Sequence, residues 1–321
     1  TLTEEYMQVP LFRHYLDNIR EVYSGSRDKH GNIIEFNRPE DYFSLVDSWC
    51  EEENNGVAYV TQILTDIRRG VFPDLTNEDL QEFGKQVKLA PGMPEFFEKL
   101  KKKWEGKCDI KFYIVSVGLD AIIRGSSVAK HVDGIFATKL VSRMYDLGLS
   151  DKPVLDGMAN VLAPFTKSQS VIEIAKGGRK NIDKLLKDQD YVYDYRNIIT
   201  IGDGLSDVSQ FAYLRNKGST TICVYKKGDI NAYDKIDGNR KVRDRVSALL
   251  ARDYNEDSML WHYINSSIYK ILNRQCEFDQ VVLNRFRKKK IKDEKLRETV
   301  AEHIESCLEC NGLYGFFSER P

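Results

Sequence analysis

Four short runs of apolar residues interrupt a chain that is otherwise rich in charged and helix-forming positions. A continuous apolar run of this length is typical of a strand that is buried on both faces of a parallel sheet. We therefore predict four buried strands, at Lys111–Ser116, Ile135–Leu140, Asn197–Gly202 and Thr220–Tyr225.

Helical patterns lie around these four runs. Strands that alternate with helices predict the α/β class, here a Rossmann-like, doubly wound parallel sheet. The predicted helices of this part are Pro94–Trp104 and Asp120–His131 on either side of the first strand, Lys167–Leu186 before the third and Asp207–Arg215 before the fourth.

The two ends of the chain show helical patterns without a convincing buried strand. Between Glu4 and Leu89 we predict helices over Tyr42–Glu52 and Val57–Arg69, and a capping signal that starts at Thr76 leads into Leu80–Gln86. From about Asp234 onward the chain is helical and highly charged. The predicted helices there are Lys241–Arg252, Ser258–Arg274, Phe278–Lys290 and Glu294–Cys307.

Composition narrows the class of protein. The chain has 321 residues, 41% hydrophobic and 30% charged, with a formal net charge of -1. No apolar run approaches the roughly 18 residues of a membrane helix, so we predict no membrane partner. The six cysteines are scattered, which suits a reducing, cytoplasmic location. The one strong basic run, Arg285–Lys292, is balanced by the acidic stretch Glu294–Glu305, so nucleic acid binding is not favoured.

Two carboxylates follow the third predicted strand. The sequence Ile198–Asp207 ends in a Gly-Asp-Gly turn, with Asp203 in the turn and Asp207 at the start of a helix. This places both at the C-terminal edge of a parallel sheet, where α/β proteins bind ligands. A small number of hard oxygen ligands suits Mg²⁺, which keeps several waters. The alternative is an ordinary loop in which an aspartate caps the helix.

A hydroxyl and a lysine complete the candidate chemistry. Ser116 ends the first predicted strand, and the small Gly118 after it would let the backbone approach an anion at the following helix N-terminus. Lys167 opens a helix, where the helix dipole disfavours a cation unless an anion is close. The alternatives are a plain N-cap serine and a solvated surface lysine.

In this order the segments resemble the haloacid dehalogenase superfamily of phosphatases. The resemblance implies that Ser116, with the backbone of Val117 and Gly118, binds the phosphate, and that Lys167 neutralises it. It also implies that Asp203 binds Mg²⁺ and that Asp207 orients the loop, the lysine or a metal-bound water. Residues 4–89 would then form a helical cap domain, residues 1–3 and 90–233 the core, and residues 234–321 a helical C-terminal extension.

The family's first motif, Asp-x-Asp-x-Thr, would end at Thr1, which we expect to bind substrate and to lie beside Asp203. We expect the nucleophilic aspartate four residues before Thr1, at the end of a central strand between those that lead to Ser116 and Gly202. The phosphoserine phosphatase branch is the nearest, through Ala90–Met93 and Ile135–Leu140. Tyr6 stands where that branch carries a substrate-reading glutamate.

The sequence thus predicts a Mg²⁺-dependent phosphomonoester hydrolase that acts on a small phosphorylated metabolite through an aspartyl-phosphate. The alternative is a catalytically inactive relative that serves as a protein-interaction module, with its helical tail as the contact surface. The residues before Thr1 would separate the two.

Overall fold

A computed structural model describes residues 1–28, 30–46, 58–187, 190–273, 285–286 and 288–306. In these residues the strands form two three-stranded sheets. The first sheet has the order β1-β2-β3, with β1 and β2 parallel and β3 antiparallel to β2. The second has the order β4-β5-β6 and is entirely parallel. The strands are β1 Tyr113–Leu119, β2 Gly134–Val141, β3 Gly157–Asn160, β4 Ile199–Gly202, β5 Thr220–Tyr225 and β6 Ala248–Ala251.

Helices alternate with the parallel strands, so the predicted α/β, Rossmann-like class is confirmed. Short 3-10 helices lead into several sites of interest, among them Pro164–Thr166 and Leu205–Asp207. The α-helices are α1 Val9–His14, α2 Leu16–Tyr23, α3 Ala58–Arg68, α4 Asn77–Lys85, α5 Glu95–Lys103, α6 Asp120–Gly125, α7 Arg143–Asp146, α8 Lys167–Ala175, α9 Val208–Asn216, α10 Ile230–Asp237, α11 Arg240–Arg243, α12 Met259–Asn273 and α13 Glu294–Ser306.

All four predicted strands are present, with small shifts at their ends. The largest shift is in β1, which does not end at Ser116 as predicted but continues to Leu119. The capping signal at Thr76 is also confirmed, because the Thr76 hydroxyl accepts from the Asp79 amide and the Asp79 carboxylate accepts from the Thr76 amide. Local patterns therefore located most of the core elements.

The chain beyond residue 233 contributes a strand to the second sheet, so it is not helical throughout as predicted. The predicted helix Lys241–Arg252 is helical only over Arg240–Arg243, and Ala248–Ala251 forms β6, which pairs with β5. A four-residue apolar run does not distinguish a strand from part of a helix, and here the free edge of β5 decides the outcome. Helix α12 also belongs to the core, because its Leu260 and Trp261 are buried in one cluster with Ile222 of β5.

Other differences have local causes. The predicted helix Lys167–Leu186 ends at Ala175 because Gly177 and Gly178 take positive φ angles of 80° and 113°. Strand β3 was not predicted. Most of the predicted helix Phe278–Lys290, the second half of Tyr42–Glu52 and part of the basic run Arg285–Lys292 lie outside the described residues.

The helices before residue 90 pack directly on the sheet-bearing part of the chain. Buried residues such as Phe72 and Leu80 share one hydrophobic cluster with Leu119 and Ile122. Helices α4 and α6 touch backbone to backbone, because a Cβ on Gly125 would lie 2.0 Å from the Gln81 carbonyl oxygen. The division at residue 89 remains a prediction, since packing continues across it.

Substitution of Gly125 by alanine is expected to lower the free energy of unfolding by about 3 kcal/mol, because the new methyl group has no space at the crossing of α4 and α6. Urea denaturation measures this. Gly157→Ala is the matched control, since the atoms nearest to its Cβ position lie at 3.6 Å. Equal stability of the two variants would contradict the close helix contact.

Strands β1 and β4 each have an edge without a strand partner among the described residues, since β1 pairs with β2 and β4 with β5. Several of their apolar residues are accordingly only half-buried, among them Ile114 in β1 and Ile199 in β4, whereas the central strand β5 is buried from Thr221 to Val224. The two edges face a common core, because Ile114 and Ile199 pack against the same hydrophobic cluster.

Candidate functional site

The turn after β4 carries two aspartates at different depths. The strand ends at Gly202, where a Cβ would lie 2.5 Å from the Asp207 carboxylate and 2.7 Å from the Phe211 ring. Gly202 therefore lets Asp207 fold back under the turn. Gly204 has φ of 150° and reverses the chain into the 3-10 helix that holds Asp207.

Asp207 is buried and connects the turn to the helix that begins at Lys167. One carboxylate oxygen, Oδ2, accepts a hydrogen bond of 2.9 Å from the Asp203 amide. The other, Oδ1, accepts one of 2.6 Å from the Lys167 ammonium. One side chain thus sets both the shape of the turn and the position of the lysine.

Lys167 is the first residue of α8, and its side chain is only 5% exposed. Its ammonium also lies 3.4 Å from the Ser206 hydroxyl. The 3-10 turn before it is attached to α9 by a hydrogen bond of 2.5 Å from the Ser209 hydroxyl to the Pro164 carbonyl. Lys167 is therefore a buried cation whose anchoring depends on two helices, and the alternative of a solvated surface lysine is wrong.

The Asp203 side chain, unlike that of buried Asp207, is 41% exposed at the C-terminal end of β4. Its Oδ2 lies 2.5 Å from the Thr1 nitrogen. Lys167 and Arg252 place positive charge near this partly exposed carboxylate, which favours its ionised form. The carboxylate is therefore ionised at neutral pH. Thr1 lies beside Asp203, as expected from the sequence.

Ser116 lies within β1, at an irregularity in its pairing with β2 between Val115 and Leu119. Its hydroxyl oxygen accepts a hydrogen bond of 3.0 Å from the Gly118 amide. A Cβ on Gly118 would lie 2.4 Å from the Met7 sulfur, so a larger residue there would require the Met7 side chain to move. Residues Ser116–Gly118 thus form an irregular stretch of β1, called the bend below, in which the regular pairing with β2 is interrupted.

The Val117 carbonyl in this bend accepts from the Tyr59 hydroxyl of α3 and, at 3.2 Å, from the Thr138 hydroxyl of β2. Helix α8, which begins at Lys167, packs against β1. The structure thus brings Thr1, Lys167, Asp203 and Asp207 together and places the Ser116–Gly118 bend on the strand next to α8. The described hydrogen bonds do not join Ser116 to Lys167.

Metal binding at this site would depend on few protein ligands. In the described ranges no group of three or more His, Cys, Asp or Glu side chains is arranged to hold a metal ion. Asp207 is already engaged by Lys167 and the Asp203 amide, which leaves Asp203 as the exposed carboxylate. One carboxylate at the edge of a parallel sheet fits Mg²⁺, which is bound through one or two carboxylates and keeps several waters.

Comparison with known proteins finds similarity to this chain at low sequence identity. No protein-family model matches it. It is 28% identical over 229 residues to an uncharacterized protein of Borreliella burgdorferi, an alignment that covers 67% of this chain and 79% of that protein. A crystal structure of a HAD family hydrolase from Salmonella enterica serovar Typhi aligns with a TM-score of 0.44 and 17% identity, over 74% of this chain and 61% of that one.

Sequence patterns missed three residues of the site region. Tyr59 comes from a helix of the predicted cap, and Arg252 and Tyr254 follow the unpredicted strand β6. Arg252 donates to the Glu4 carbonyl at 3.3 Å and Tyr254 to the Thr1 carbonyl at 3.2 Å. No local pattern marks them, because their contacts join residues that are 58 positions apart for Tyr59 and 248 and 253 positions apart for Arg252 and Tyr254.

The described residues contain no helix that is both long and apolar enough to cross a bilayer.

Proposed function

We propose that the protein is a Mg²⁺-dependent phosphomonoester hydrolase of the haloacid dehalogenase superfamily, acting on a small phosphorylated metabolite. The observation that carries this proposal is a pair of hydrogen bonds to Asp207, one from the buried Lys167 ammonium and one from the Asp203 amide. They hold Lys167 close to the exposed Asp203 carboxylate, which lies at the end of β4 and beside Thr1. A buried cation next to an ionised carboxylate at a sheet edge suits binding of a phosphate together with a metal ion.

Lys167 would stabilise negative charge on the phosphoryl oxygens. Its ammonium has three donors, and Asp207 and Ser206 account for two of them in the described structure. The remaining donor is available to a substrate oxygen. Because the cation is buried and already positioned, its charge acts in a low-dielectric site without reorganisation during the reaction.

Ser116 would donate a hydrogen bond to the same phosphate. Its oxygen already accepts from the Gly118 amide, so the hydroxyl proton is directed elsewhere. The helix that follows, α6, begins at Asp120 and directs its N-terminal end toward this bend. Backbone amides of the bend would supplement the hydroxyl.

Asp203 would hold Mg²⁺, with further ligands from substrate, water and the segment before Thr1. The metal would supply positive charge to the phosphoryl oxygens. Asp207 would fix the position of Lys167 relative to the Asp203 turn, since its carboxylate accepts hydrogen bonds from both.

The nucleophile would come from a strand that fills the space between β1 and β4. Among the described residues both strands have an edge without a strand partner, and both contain half-buried apolar residues; buried peptide groups require partners. A strand there that leads into Thr1 would bring an aspartate next to Asp203. That aspartate would attack phosphorus as the ester P–O bond breaks. A second aspartate would protonate the leaving oxygen and then activate water to hydrolyse the aspartyl-phosphate.

The substrate is proposed to be something other than phosphoserine. Tyr6 occupies the position at which the phosphoserine phosphatase branch carries a glutamate. Its ring is 65% exposed and packs 5.0 Å from that of Phe43. An aromatic ring there provides no carboxylate for the ammonium group of an amino acid.

Hydrolysis of p-nitrophenyl phosphate by the parent protein, with any residues that precede Thr1, tests the proposal. We expect turnover that depends on Mg²⁺ and is lost on chelation with EDTA. We also expect aspartates at the two motif positions upstream. Asn, Ala or Gly at the nucleophile position, together with no turnover, would replace the proposal by the inactive interaction module.

A further inference from the structure

The segment that follows β6 holds the first residues of the chain in place. The Tyr254 hydroxyl donates to the Thr1 carbonyl oxygen at 3.2 Å, and the Arg252 guanidinium donates to the Glu4 carbonyl oxygen at 3.3 Å. Two side chains separated by one residue thus bind both ends of a four-residue segment. Thr1, at one of these ends, also contacts Asp203.

Tyr254 is well placed to hold a constant position. Its side chain is 1% exposed, and its ring packs 5.1 Å from that of Phe96 in the core cluster. Its amide donates to the Pro91 carbonyl at 2.8 Å. Burial raises the pKa of Tyr254, so its hydroxyl remains a protonated donor at every working pH.

The same segment is locked to the turn Ala90–Met93. Gly92 has φ of 83°, and a Cβ there would lie 2.5 Å from the Tyr254 carbonyl carbon and the Asn255 nitrogen. The start of this turn and the residues before it also pair with the first residues of the chain. The Ala90 amide donates to the Leu2 carbonyl, and the Glu4 amide donates to the Lys88 carbonyl, both at 2.9 Å. Three distant stretches of chain are thereby joined backbone to backbone.

We propose that Tyr254 is a positioning residue, which fixes the end of the first motif relative to Asp203, with Arg252 as its support. Strand β6 belongs to the same hydrogen-bonded sheet as β4, so the residues that follow β6 keep a constant distance from Asp203. The hydrogen bond from Tyr254 to the Thr1 carbonyl therefore also holds Thr1, and the segment that would carry the nucleophile, at a constant distance from Asp203. This role presupposes the phosphatase activity proposed above.

Tyr254→Phe in the parent protein removes the hydroxyl and leaves the packed ring. We expect kcat for p-nitrophenyl phosphate to fall about fivefold to tenfold with KM nearly unchanged, because loss of one neutral hydrogen bond misplaces groups that matter in the transition state. Tyr263→Phe is the matched control, since the Tyr263 hydroxyl donates to the carbonyl of Ser247, the residue before β6, at 3.3 Å. The control should keep its kcat.

Hydrogen exchange measures the position of the first motif without any activity. We expect the amides of Leu2–Glu4 to exchange about fivefold faster in Tyr254→Phe than in the native protein, and unchanged in Tyr263→Phe. Arg252→Gln should raise exchange in the same peptide, which provides a second variant if Tyr254→Phe is unstable.

The kinetic and the hydrogen-exchange measurements distinguish failure of the proposed phosphatase function from failure of the positioning role of Tyr254. A native protein without turnover would remove the proposed function, while the exchange rates would still decide whether Tyr254 holds the segment. Native exchange in both Tyr254→Phe and Arg252→Gln would overturn the positioning role. So would a fall in kcat that is as large in Tyr263→Phe, because it would reflect a general loss of stability.

Discussion

Lys167→Met is expected to lower kcat of the parent protein for p-nitrophenyl phosphate by about 100-fold to 1000-fold, the cost of losing one preorganised group that stabilises transition-state charge. The methionine keeps the length and apolar stem of the side chain but removes the charge. The structural reason is that Lys167 is only 5% exposed, so water cannot replace its ammonium. Steady-state kinetics at saturating Mg²⁺ measures the effect.

This variant also leaves the buried Asp207 carboxylate without its cation, which costs about 3–5 kcal/mol of stability. The double variant Lys167→Met/Asp207→Asn removes both charges and should recover part of the stability but none of the activity. Lys176→Met is the matched control, since Lys176 lies at the other end of α8 and donates to the Ile182 and Lys184 carbonyls. Native kcat in a folded Lys167→Met protein would remove Lys167 from the site.

Asp203→Asn is expected to lower kcat/KM at physiological Mg²⁺ by about 1000-fold, because an amide oxygen is a much weaker ligand for a hard divalent cation than a carboxylate. The half-saturating Mg²⁺ concentration should rise in parallel. Mg²⁺ binding by titration calorimetry gives the same answer without turnover. The change from Asp to Asn keeps the shape of the turn, because the hydrogen bond to Asp207 is donated by the Asp203 backbone amide.

Asp194→Asn is a suitable control for Asp203→Asn. The Asp194 side chain is 38% exposed and forms an ion pair with Arg196, much as Asp203 is 41% exposed and pairs with the Thr1 nitrogen. A general effect of removing one surface carboxylate would therefore affect both variants equally. Normal turnover and normal Mg²⁺ dependence in Asp203→Asn would exclude this residue as the metal ligand.

The four apolar runs identified the strands because buried parallel strands have to be apolar along their whole length. The same rule failed for Ala248–Ala251, where four apolar residues fit a helix or a strand and the open edge of β5 made the choice. It also did not reveal β3, which is largely exposed and has no apolar run to mark it. Prediction was therefore best where burial alone specifies the residue type.

The candidate site was predicted less completely. The turn with Asp203 and Asp207 could be placed at a sheet edge, because a loop that follows a parallel strand lies there. That Asp207 bonds simultaneously to the Asp203 amide and to Lys167 could not, since Lys167 is 40 positions away from Asp207 in the sequence and meets it only in the tertiary structure. Ser116 was placed at a strand end, but the position of its bend is determined by the register of β1 on β2.

Local pattern was thus sufficient for the α/β class, four of the six described strands and the position of the Asp203 turn after a strand, because burial and turn geometry act over a few neighbouring positions. Contacts between distant segments determined the rest. Three features depend on residues that are about 25 to 250 positions apart: the pairing of β6 with β5, the buried Lys167–Asp207 ion pair and the hydrogen bond from Tyr254 to Thr1. Such contacts form only when distant segments pack together in the tertiary structure, so no periodic pattern in the sequence predicts them.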